Sequence, residues 1–139
     1  MGYFKVTNGA PNWVDDSNKI ETVTDDRTLA AEDSGLNLHI GTDAKTFTLP
    51  AIATVGAGVE YTFTNIGADG NNIITISPAA ADAIHGTITL AASVVELSGV
   101  DDKDLINTKA TATTGNSVKL ISGTADWFVV SSTGIWASE

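Results

Sequence analysis

The chain has 139 residues, enough for one domain around a single core, and 17% of them are charged against a usual share of roughly a quarter. Ser, Thr, Ala and Gly must therefore cover a mildly apolar exterior of the kind that self-association hides. A formal net charge of −10, from 7 basic and 17 acidic residues, argues against nucleic-acid and anionic-membrane partners; the lack of cysteine removes disulfide and thiolate chemistry, and no apolar run approaches the ~20 residues of a membrane span.

Taken in chain order, residues 1–18 read as an extended N-terminal arm. Tyr3, Phe4 and Trp13 are scattered among Asn8, Gly9, Pro11 and Asn12 without a sustained period. The start, MGYFKV, lacks a signal-peptide pattern, and Val6 stands where a myristoylation signal needs Ser or Thr. The expectation is a chain made in a cytoplasm and not secreted by the usual route. Three large aromatics in an irregular segment call for a covering surface, either the chain's own domain or a partner.

Residues 19–139 read as a single β domain. Ile20, Thr22 and Thr24 alternate with Glu21 and Val23, and Leu36, Leu38 and Ile40 alternate with Asn37 and His39. Phe47 and Leu49 form a strand that Pro50 stops. Ala51 to Val59 is an uncharged, glycine-containing loop. Tyr61 and Phe63, an Asp69-Gly70 turn, and Ile74 and Ile76 predict a β-hairpin over Glu60 to Ser77. Pro78 to Ala81 before Gly86 reads as one helical turn. Ile84, Ile88, Leu90, Val94, Val95 and Leu97 resume strand character before the polar turn of Asp101, Asp102, Lys103 and Asp104. From Asn116 to Trp136, short β-branched and aromatic runs broken at Gly123 and Gly134 predict a closing hairpin with Trp127 in the core. The fold class expected is all-β: an antiparallel β-barrel or β-sandwich, β-tulip or jelly-roll-like, with an extended N-terminal arm.

No pattern supports catalysis. His39, His85 and Asp82 lack a further ligand at metal spacing, and the Asp101–Asp104 cluster runs into Leu105 and Ile106 where a calcium loop needs Gly and a distant Glu. Glu60 and Glu96 on predicted strands are a chance carboxylate pair, and no Gly-x-Ser-x-Gly elbow occurs. The expectation is no enzyme, no metal and no cofactor. Trp127, Trp136 and Tyr61 would count as a sugar-binding platform only if exposed together.

The stretches TFTLPAIATVGAGVEYTFTNIGADG (Thr46 to Gly70), IITISPAAADAIHG (Ile73 to Gly86) and SVKLISGTADWFVVSSTGIWA (Ser117 to Ala137) resemble β-rich structural proteins of tailed bacteriophages. The shared elements are a strand ending in Ser-Pro, an Ile-x-Gly step, and a Trp-centred strand followed by Gly-x-Trp. Capsid decoration (cement) proteins and tail-fibre or spike modules share this pattern, which spans Thr28 to Trp136; a short chain with an N-terminal arm is most similar to the decoration proteins. That resemblance implies a homotrimer on the outer capsid surface of the virion, made in the host cytoplasm, clamping adjacent major capsid subunits. In that reading Tyr3, Phe4 and Trp13 anchor the arm to the capsid. Ile52, Val55, Val59, Ala79, Ala91 and Trp136 are the candidates for the trimer interface. The alternative is a receptor- or glycan-binding module of a fibre or spike.

Overall fold

A computed structural model describes residues 2–7, 10–15, 19–90 and 93–138. The described elements in chain order are β1 (Gly2–Thr7), β2 (Ala10–Asp15), β3 (Ile20–Val23), β4 (Arg27–Thr28), β5 (Asn37–Ile40), β6 (Lys45–Thr48), α1 (Ile52–Val55), β7 (Glu60–Asn65), β8 (Ile74–Ser77), β9 (Ile84–Thr89), β10 (Val94–Ser98), β11 (Leu105–Asn107), β12 (Ser117–Ser122), β13 (Trp127–Thr133) and β14 (Ala137–Ser138). The molecule is all-β, as its alternating pattern requires. A seven-stranded sheet runs β10-β9-β13-β12-β7-β5-β3, and a five-stranded sheet runs β14-β11-β8-β6-β4.

Strand pairing is mixed, where a purely antiparallel arrangement was expected. Between β3 and β8 the chain steps back and forth between the two sheets. Strands β3, β5 and β7 lie parallel in the large sheet, and β4, β6 and β8 lie parallel in the small one. Each return to the same sheet passes through a strand of the other, and such long connections permit parallel pairing. This half of the domain is built as successive rungs, like a short solenoid. The later strands close it: β12 pairs antiparallel with β7, and β11 antiparallel with β8.

The predicted Glu60–Ser77 hairpin is therefore corrected. Its two strands exist, but β7 belongs to the large sheet and β8 to the small one. Alternation reports that one face of each strand is buried, and says nothing of which strand lies alongside. The Asp69-Gly70 turn does form, with Gly70 at φ +69°, inside a loop that crosses the end of the sandwich. The closing hairpin is present as read: β12 and β13 pair antiparallel, with a bulge between Lys119 and Leu120.

The alternating apolar residues meet in one core between the sheets. Leu38, Ile40, Tyr61, Phe63, Leu120 and Trp127 come from the large sheet, and Phe47, Ile74, Ile76 and Leu105 from the small one. Phe47 and Phe63 bridge the layers with ring centroids 5.7 Å apart. Pro78 to Ala81 is a turn closed by the Asp82 N–H on the Ala79 carbonyl at 2.8 Å, and not a helical turn. The helical turn lies instead at α1, where the buried Asp82 carboxylate accepts the Ile52 N–H at 2.9 Å.

Tyr61 is fully buried, and its hydroxyl donates to the Ala30 carbonyl at 2.6 Å. Tyr61→Phe is expected to lower stability by about 1–2 kcal/mol in denaturant unfolding. Burial, followed by the nearby Asp33 and Glu32 charges, pushes the phenol from its ordinary value of 10.0 up to about 12. A raised folded-state value means that the unfolded chain releases this proton first. The Tyr61 contribution is thus intact below pH 10 and declines as the pH rises from 10 to about 12. The Phe variant should lose that part of the alkaline decline.

Candidate functional site

The N-terminal segment is a two-stranded ribbon, where a single extended arm was expected. β1 and β2 pair antiparallel from Gly2↔Asp15 to Thr7↔Ala10. The two residues between Thr7 and Ala10 in sequence are Asn8-Gly9, a pair strongly favoured in two-residue hairpin loops. The backbone register sets Tyr3 opposite Val14, Phe4 opposite Trp13 and Val6 opposite Pro11. Among the described residues, β1 and β2 pair only with each other and join neither sheet. A lone two-stranded ribbon is marginal in water and needs a surface to lie on.

The trimer-interface candidates fare differently. Ile52, Val59 and Trp136 are at most 9% exposed and belong to the domain's own core, which corrects their assignment to a subunit surface. The 51–59 loop is uncharged because Ile52 and Val59 complete that core, with half-buried Val55 packed behind them. Trp136 is held by its indole N–H on the Thr133 carbonyl at 3.1 Å. Ala79 is half-buried in its turn, and Ala91 lies outside the described residues. Tyr61, Trp127 and Trp136 are all 0% exposed, so the sugar platform they were considered for does not exist.

Other apolar side chains face solvent. Phe128 is 45% exposed, Val130 54% and Val94 69% on the β13, β9 and β10 side of the large sheet, and Ile20, Ile66 and Val100 are exposed elsewhere. In sequence Phe128 and Val130 sit in the unbroken run Trp127 to Val130, whose lack of alternation hides which members point out. The structure orders them: Trp127 is buried in the core, partly buried Val129 packs against it, and Phe128 and Val130 are exposed.

His85 stacks on Phe128 with ring centroids 5.3 Å apart, and its Nε2 lies 3.0 Å from Asp126 Oδ2. The Ala83 N–H at 2.9 Å and then His85 hold the Asp126 carboxyl below the usual carboxylate range. Gly99 closes over the imidazole, where a Cβ would stand 1.9 Å from the ring. His85 is thus braced on three sides. His39 sits on β5 opposite Thr22 and Thr64, apart from His85, and Asp82 is engaged with α1. No group of three or more potential metal ligands occurs among the described residues. Glu60 and Glu96 lie on strands with three others between them, β12, β13 and β9. At roughly 4.8 Å per strand they are about 19 Å apart, too far to act as a glycosidase pair. Among the described residues, no helix is long and apolar enough to cross a membrane.

Neither protein-family models nor curated proteins give a match to this chain.

Proposed function

We propose that this chain is a structural decoration protein of a bacteriophage head, a homotrimer that sits on the outer capsid surface of the virion and fastens adjacent major capsid subunits. The observation that carries the reading is the N-terminal ribbon. Its backbone joins neither sheet among the described residues, and its register sets Phe4 opposite Trp13 and Val6 opposite Pro11. Aromatic residues of this kind are the usual anchors of interfaces. A ribbon with open edges can also extend a sheet of a partner by strand addition. The resemblance carried by Thr46 to Gly70, Ile73 to Gly86 and Ser117 to Ala137 supports the phage assignment.

A rigid β body with three ribbons would engage several subunits at once, so that modest individual contacts suffice through effective concentration. Three chains at −10 each repel one another, and an uncharged face is needed where they meet. The outer positions of the small sheet meet that need. Thr46 and Thr75 are register partners, as are Thr28 and Thr48, and Thr48 and Ser77, with Ile106 and Ala137 beyond them. None of these positions is charged, which makes this face the better candidate for the trimer contact.

Sedimentation with purified phage heads tests the reading. The full chain should pellet with the heads, and a chain lacking residues 1–18 should bind at least tenfold more weakly, a loss of about 1.4 kcal/mol or more. Equal binding by the two would remove the ribbon from the attachment.

A further inference from the structure

A shallow cleft lies on the outer face of the large sheet. Its volume is about 240 Å³, and Lys19, Ile20, Asn37, Glu60, Thr62 and Lys119 line it. Four of these form one cross-strand row: Ile20 opposes Asn37, Asn37 opposes Thr62, and Thr62 opposes Lys119. The cleft is therefore part of the sheet and not of a loose loop. Its size is below that of a pocket for a drug-sized ligand and suits a single ring.

The lining has a specific chemistry. Two of the chain's seven basic residues, Lys19 and Lys119, border the cleft in a protein of net charge −10. Asn37 Oδ1 accepts from the Thr64 hydroxyl at 2.9 Å, so Asn37 offers the cleft its N–H donors. Glu60, 3.4 Å from Lys119, supplies acceptors. Ile20, 60% exposed, gives an aliphatic surface on which the C–H face of a ring can rest. A simple anion would use the lysines and leave Glu60, Asn37 and Thr62 without a hydroxyl partner. A neutral sugar would use Glu60, Asn37 and Thr62 but offer no carboxylate to Lys19, Lys119 being already held by Glu60. A ring that carries both hydroxyls and one carboxylate satisfies the whole set.

From this geometry we infer that the cleft binds a carboxylated monosaccharide of the uronic-acid class, as a free sugar or a unit of an acidic glycan. Binding here is separate from head attachment, and no phage component enters its test. The full chain is titrated with sodium glucuronate, with glucose and sodium acetate as controls, by amide chemical-shift changes and calorimetry. Glucuronate should bind saturably and perturb Asn37 and Thr62, and both controls should bind at least tenfold more weakly. Lys19→Gln and Lys119→Gln should each weaken glucuronate about tenfold, the size of one charge-assisted hydrogen bond, with thermal melts unchanged. Absence of saturable binding would overturn the inference. So would acetate binding as tightly as glucuronate, which would reduce the cleft to an adventitious ion only, or lysine variants that bind as the parent does.

Discussion

Asn107→Leu is expected to lower folding stability by about 3–5 kcal/mol and the melting temperature by roughly 10–20 °C, although the substitution keeps the branched outline of the side chain. Asn107 is fully buried at the centre of a row of asparagines. Its Oδ1 accepts from Asn65 Nδ2 at 2.9 Å, and its amide donates to Asn116 Oδ1 at 3.2 Å and to the Ile135 carbonyl at 2.9 Å. Asn65 Oδ1 in turn accepts from the Gly67 N–H at 2.9 Å and from Asn72 at 3.3 Å. Asn116 is fixed by the Thr113 N–H at 2.9 Å and the Thr113 hydroxyl at 2.7 Å. These bonds tie the 66–73 crossing loop, the end of β11, the 113–116 turn and the chain before Trp136 into one end of the sandwich. Leucine would leave three polar partners short of a bond at once, and a buried orphan costs about 1–3 kcal/mol. A loss below 1 kcal/mol in denaturant unfolding would mean that the row does not hold this end together.

The second large effect is at Gly134. Its φ is +88°, and a Cβ there would stand 2.1 Å from Asn116 Nδ2 and 2.3 Å from Asn116 Cγ. Asn116 cannot yield without breaking its bonds to Thr113 and Asn107. Gly134→Ala should therefore cost at least ~3 kcal/mol, the left-handed backbone contributing about 1–2 of it. Gly35 provides the control: its φ is +89°, but nothing lies within 4 Å of its missing Cβ. Gly35→Ala should show the backbone part alone. Equal losses at the two positions would indicate that Asn116 moves aside freely. Because Gly134→Ala and Asn107→Leu damage the same network, their double variant should lose less than the sum of the singles.

These asparagines also show where the sequence stops being legible. Leu36, Leu38, Ile40, Phe47, Leu49, Tyr61, Phe63, Ile74 and Ile76 could be picked as core because strand periodicity exposes them, and all are buried. Asn65, Asn72, Asn107 and Asn116 have the composition of turns, and only three-dimensional closure makes them a buried row. Pairing was hidden for a similar reason: the alternation over Glu60 to Ser77 is the same whether its strands are neighbours or lie in opposite layers. The uncharged loop around Ile52 and Val59 could have been either an interface or a lid on the core, and burial decides for the lid. At the surface, the cleft draws Lys19 and Lys119 from opposite ends of the domain, which no local motif could announce. Asn8-Gly9 is the opposite case, a pair that sequence statistics favour in two-residue hairpin loops and that lies between the paired β1 and β2 in sequence.

A difference map between bare phage heads and heads incubated with this chain tests the central claim, that the molecule fastens neighbouring capsid subunits from outside. Three-fold density should appear on the outer surface over subunit junctions, with each body reaching the shell through its N-terminal ribbon. Density confined to the tail, inside the shell, or at single sites away from junctions would contradict it.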